Sequence, residues 1–140
     1  MSFVRAWSIF ACVSAALLAQ GQNFKEPPEH TRLIPSIDGA DLYKAYCASC
    51  HGIDGKGGGP MAPTLKAHVP NLTHIARRNH GSFPVERVER IISGDEEISA
   101  AHGSREMPMW GPIFSQIVWD RDLSRLRIHN LARYIEKIQE

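Results

Sequence analysis

The sequence is short of most features that announce a function. Formal net charge is only +1, so nothing biases the chain toward nucleic acid or an anionic membrane surface. No period-2 alternation marks strands, and no internal repeat is evident. Beyond the first residues no apolar run approaches the roughly 20 residues that span a bilayer. Nothing in the order of residues gathers a Ser/His/Asp set or another catalytic constellation. At 140 residues the chain suits one small domain with a short leader and excludes a large multidomain enzyme. Cysteine is scarce too, at three residues, and the position of each one matters.

The N-terminus reads as a secretory signal peptide over residues 1–21. Arg5 supplies a short positive region, Ala6 to Leu18 form a compact apolar run, and the small residues Ala19 and Gly21 offer cleavage sites. The sequence thus predicts an exported, periplasmic protein, with an uncleaved N-terminal anchor as the alternative. Cys12 has the outline of a lipoprotein cleavage box, but the apolar run continues past it. Removal of the leader leaves two cysteines, Cys47 and Cys50.

Residues 22–37 are polar, carry Pro27, Pro28 and Pro35, and read as a flexible lead-in to a domain over 38–140. Asp38 is a good N-cap for a helix bearing Leu42, Tyr43 and Tyr46 and ending near Cys50. The glycine-rich stretch His51 to Pro60 cannot stay helical, and Pro63 and Pro70 prolong the loop. Leu72 to Arg78 suggests a short helix. Pro84 opens a stronger one with Val85, Val88, Ile91 and Ile92 at helical spacing and Gly94 at its end. Residues 95–112 show little periodicity. Leu123, Leu126, Leu131, Ile135 and Ile138, with Tyr134 beside them, predict the last helix. The expected fold class is all-α, three to five helices wrapped around long loops.

Cys47-Ala48-Ser49-Cys50-His51 is the attachment pattern for c-type haem. Thiols at i and i+3 lie on one side of a helical turn, so both can reach the vinyl groups along one porphyrin edge. The following His51 is then held under the iron as proximal ligand. Thioether bonds are permanent, which suits an exported chain. A zinc site would need further cysteines or paired histidines. His30, His68, His74, His80, His102 and His129 show no such pairing. A thioredoxin-like dithiol would need strands. For a sixth ligand, a methionine thioether favours ferrous iron. Met61 is too close behind His51; Met107 and Met109 lie in a polar, non-helical stretch beside Pro108 and Gly111.

The chain resembles the small monohaem class I cytochromes c of bacteria, over roughly residues 38–138. Gly39, Leu42, Tyr43 and Tyr46 look like that family's N-terminal helix, with Leu131 and Tyr134 as C-terminal partners. His51 to Gly57 looks like its loop after the attachment motif, and Met107-Pro108-Met109-Trp110-Gly111 is similar to its distal segment. The resemblance implies Met107 as distal iron ligand, with Met109 the runner-up. It also implies a proline carbonyl accepting the proximal His N–H; Pro60 and Pro63 compete for this, and Pro60 is preferred for its Gly-Pro context. Leu65 and Leu72 are expected on the porphyrin, and Trp110 beside it or in the core. Arg77, Arg78 and Arg105 are expected in solvent, with haem propionates or a partner surface as the alternative. The stretch Ile113 to Asp122, with Trp119 and Asp120, is longer than the shortest members need.

The expected cofactor is one covalent haem c, and the expected function is one-electron transfer between redox partner proteins, without a small-molecule substrate or nucleic acid. A haem subunit docked on a larger respiratory oxidoreductase, in a membrane complex, is the first alternative. A haem protein with a labile sixth site, or with His102 as sixth ligand, is the second.

Overall fold

A computed structural model describes residues 33–96, 106–117 and 121–140. Among them are six α-helices and short 3₁₀ turns, with no strand. The expected all-α class is met, and the helix count exceeds the expected upper bound of five.

Helix α1 (Gly39–Tyr46) begins where Asp38 can cap it: the Asp38 carboxylate accepts from the backbone N–H groups of Ala40 and Asp41 at 2.9 and 3.1 Å. The expected run to Cys50 is interrupted at Cys47, and a separate turn, α2 (Ala48–His51), completes it. After the loop, a 3₁₀ turn at Leu72–His74 leads into α3 (Ile75–Arg78). Asn71 starts that turn by accepting from the Thr73 N–H at 2.8 Å. Helix α4 (Val85–Ser93) ends at Gly94, which sits at φ 92°, a left-handed closure that glycine permits without strain.

Helix α5 (Trp110–Ile117) lies where the sequence shows little periodicity. Gly111 and Pro112 hide it, yet both fall in its first turn, where proline loses no intrahelical hydrogen bond. The stretch beginning at Ile113 is therefore largely helix; Trp119 and Asp120 lie outside the described residues. Helix α6 (Arg121–Lys137) is the longest. Its buried stripe is Ser124, Arg127, Ile128, Leu131, Ala132 and Ile135. Leu126, expected on the inner side, is 40% exposed, because the stripe that meets α1, α4 and α5 passes through Arg127 instead.

The core forms where α1, α4 and α5 pack on α6. The α1–α6 crossing is close because residue 39 has no side chain: a methyl group there would collide with the Asn130 carbonyl and the Tyr134 Cβ. Tyr43 and Tyr134 meet beside it with ring centroids 5.2 Å apart. Leu42, Tyr43, Phe114 and Leu131 are fully buried, each contributing about 1.5–3 kcal/mol of apolar burial.

Residues 33–37, expected in the lead-in, are held in the fold; the rest of that stretch lies outside the described residues. Leu33 and Ile34 pack against the core. The Ile34 N–H donates to Tyr46 Oη at 2.8 Å, and the Ile34 carbonyl accepts from Arg127 at 3.2 Å. Asn130 donates to the Ile37 carbonyl at 2.7 Å. Partners 93 residues away in sequence thus bring residues 33–37 into the fold, which spacing alone does not reveal.

Candidate haem site

The attachment motif is built by one turn of backbone. Cys50 and His51 both donate to the Cys47 carbonyl, at 3.2 and 2.9 Å, and Gly52 donates to that of Ala48 at 2.9 Å. This places the two cysteines on the same side. Both are free thiols; Cys47 is buried and Cys50 half-buried. Burial, and then the neighbouring Cys50, push the Cys47 thiol up to about 12. Its sulfur stays neutral, as it would in a thioether. The turn is closed from below by Tyr43, whose buried hydroxyl donates to the Gly52 carbonyl at 2.8 Å.

The glycine loop folds back along this turn. Gly57 donates to the His51 carbonyl at 2.8 Å, Gly59 to that of Cys50 at 3.1 Å, and Met61 to that of Ser49 at 2.8 Å. At Gly59 any side chain would run into the Ser49 and Cys50 backbone, so the loop can lie this close only as glycine. The segment carrying both thiols is therefore clamped from two sides, by α1 and by the loop.

His51 corrects one expectation. Its Nδ1 lies 3.4 Å from the carbonyl of Pro70, not of Pro60 or Pro63. Residues 52–61 are used up in running back along α2, and Pro60 and Pro63 end in exposed turns. The chain first reaches the imidazole ring 19 residues after the histidine. Burial lowers the His51 pKa while the Pro70 carbonyl works to raise it. Burial dominates and favours the neutral ring, the form that ligates metal. With Nδ1 turned to the carbonyl, Nε2 is the nitrogen offered for coordination.

The three methionines have different surroundings. Met61 is 48% exposed. Met109 is 40% exposed, and its side chain lies over Gly94 at the end of α4: a methyl group on Gly94 would come within 2.6 Å of its Cγ and 3.1 Å of its Sδ. Met107 is half-buried and packs on the cluster that contains Cys47. Just before it, Glu106 spreads its carboxylate over two backbone N–H groups, of Lys66 at 3.0 Å and Ala67 at 2.8 Å. Trp110 opens α5, stacks on Phe114 and meets Tyr46 at a tilt, with centroids 5.5 and 5.0 Å away. Leu65 is half-buried, and Leu72 packs on the core cluster with Ile75, Phe83 and Val85. Arg77 and Arg78 are exposed, as expected; Arg105 and His102 lie outside the described residues.

The donor set suits an iron porphyrin: two free thiols one turn apart, an imidazole whose burial favours the neutral ring beside them, and a thioether on the same apolar cluster. It does not suit zinc. Among the described residues no group of three or more His, Cys, Asp or Glu side chains could hold a metal ion. Sequence reasoning missed Pro70 and Glu106. Neither carries a spacing signal, because each acts across a loop.

An all-α wrapper, a crossing of first and last helices at Gly39 and Tyr134, and a Cys-X-X-Cys-His turn beside it define a monohaem cytochrome c domain, a haem-binding module for electron transfer. Residues 37–135 match the family described as cytochrome c oxidase, cbb3-type, subunit III, and the chain belongs to that family. Comparison with curated proteins and with solved structures gives no match.

Proposed function

We propose that this protein is an exported one-electron carrier holding a single haem c through thioether bonds to Cys47 and Cys50, with His51 and Met107 as axial ligands. Bound haem supplies a one-electron iron couple; the protein's residues hold the ring, orient its ligands and keep water from its face. The observation that carries the reading is the turn Cys47–His51 itself, with both sulfurs on one side and His51 Nδ1 directed at the Pro70 carbonyl. Packing of Met107 on the Cys47 cluster, while Met109 lies over Gly94, favours Met107 as distal ligand. The redox partners are proteins, and residues 1–21 act as the export leader.

The test is spectroscopic. Haem should stay with the chain on a denaturing gel at one per polypeptide. A ferric methionine–iron band in the near infrared should vanish in Met107→Ala and persist in Met109→Ala. High-spin iron that takes up carbon monoxide rapidly once reduced overturns the carrier reading. N-terminal sequencing of the mature chain should begin after Ala19 or Gly21.

The family description favours a second reading, a haem subunit of a larger respiratory oxidase. Among the described residues no helix is long and apolar enough to cross a membrane, so any such association would run through protein contacts or the N-terminal segment. Gel filtration of gently solubilised native extract separates the two. A species near the mass of the single chain supports the carrier, and co-elution with a large complex supports the subunit.

A further inference from the structure

The segment 66–70 touches both sides of the candidate site. At one end the Lys66 and Ala67 N–H groups donate to the Glu106 carboxylate, at 3.0 and 2.8 Å. At the other the Pro70 carbonyl faces His51 Nδ1 at 3.4 Å. The loop leading into this segment is itself pinned to the attachment turn, through Gly59 on Cys50 and Met61 on Ser49. A continuous path of backbone therefore runs from the thiol-bearing turn to the residue preceding Met107, and one carboxylate closes it.

We propose that Glu106 is a positioning residue for the distal ligand: it latches the loop segment carrying Met107 to the segment that also orients His51. This inference rests on the His51/Met107 reading above. The chemistry suits the task. A carboxylate has two acceptor oxygens, and two successive N–H groups meet them one to one. Charge-assisted bonds of this kind are stronger than neutral ones and fix orientation as well as distance. The paired residues are 40 and 39 positions apart, so no local turn makes the same connection. Without the latch Pro108 still follows Met107, but both bonds from the 66–70 segment to Glu106 are lost.

Glutamine at position 106 keeps the shape and one acceptor oxygen but turns an NH₂ group toward the second backbone N–H. Glu106→Gln in the haem-loaded protein should speed displacement of the distal ligand by added imidazole about tenfold, the cost of one such bond. Glu106→Ala should speed it further and weaken the near-infrared methionine–iron band. Glu106→Asp, which keeps the charge on a shorter stem, should fall between wild type and glutamine. The exposed control Glu86→Gln should exchange as wild type does. Far-ultraviolet dichroism should stay unchanged in all four, which separates ligand positioning from a general loss of fold. Wild-type exchange rates and an intact band in both Glu106→Gln and Glu106→Ala overturn the proposal. A wild-type protein that lacks the band, or a Met107→Ala variant that keeps it, overturns the ligand reading itself and the latch with it.

Discussion

The two sides of the candidate site are held by different means. On the attachment side, α1, α2 and the glycine loop form a ladder of backbone bonds between residues close in sequence, with Tyr43 closing it. On the other side, Glu106 next to Met107 latches onto the Lys66 and Ala67 N–H groups, and Tyr46, Trp110 and Phe114 form an aromatic block. The first side is built by local geometry and the second by side chains reaching across the molecule. On the ligation proposed above, haem attachment would rest on local geometry and the sixth ligand on tertiary packing. Disturbing one side should therefore leave a different signature from disturbing the other.

The largest effect is expected at Phe114, the fully buried ring shared by α5, Tyr46, Trp110 and Arg127. Phe114→Ala should cost about 3–5 kcal/mol in denaturant unfolding. It should also weaken the methionine–iron band while the haem stays attached. Gly39→Val comes next, since its branched side chain must push α1 away from the Asn130 carbonyl. About 1–3 kcal/mol should be lost, with the near-infrared band retained in the folded fraction. If Phe114→Ala and Gly39→Val disturb that band equally, the two sides are not independent.

Tyr43 sharpens the comparison on the attachment side. Tyr43→Phe removes the hydroxyl that serves the Gly52 carbonyl and should cost about 1–2 kcal/mol. Burial, the largest cause, raises the Tyr43 phenol well above its ordinary 10.0, with Cys47, Tyr134 and Asp54 adding smaller contributions. The native state thus prefers the neutral phenol. Its contribution is present in full below pH 10.0 and is lost as pH rises from there toward the raised native value. Equilibrium unfolding in alkali should fall less steeply with pH in Tyr43→Phe than in wild type.

The smallest effect is expected at an exposed ion pair just past the end of α4. Arg87 and Arg90 bond Glu96 at 2.8 and 3.1 Å. The hydrogen bond from Arg87, then that from Arg90, hold the carboxyl below its ordinary 4.5 against a partly opposing desolvation. This contribution is present above pH 4.5 and is lost as pH falls through the lowered native value. Solvent screens the pair, so melting of Glu96→Gln should be hard to distinguish from wild type near neutral pH. Any difference should shrink on acidification.

Much of this protein is legible within single turns of its sequence. Cys47, Cys50 and His51 needed only helical spacing, Asp38 only its place before an apolar stripe, and Gly94 only its place after one. The Gly39–Tyr134 crossing came from resemblance and is present. Helix α5 was obscured because Gly111 and Pro112 read as breakers, although a first turn tolerates both. Arg127 gave no hint of burial, yet it is 3% exposed, serving the Ile34 carbonyl and lying 5.9 Å from the centre of the Phe114 ring. Its Nε and Nη1 have no hydrogen-bond partner, a desolvation cost that an inward stripe chosen by hydrophobicity would avoid.

The residue pattern alone determined that two thiols and an imidazole share one turn, because backbone geometry fixes which side chains face together over three or four positions. Tertiary structure decided that Pro70 faces His51, that Met107 rather than Met109 packs on the Cys47 cluster, and that Glu106 meets Lys66 and Ala67. Each of those contacts closes a loop of many residues. Loop closure varies only slowly in cost with length, so spacing barely discriminates between one proline or methionine and the next. The choice falls to the packing at the loop's two ends.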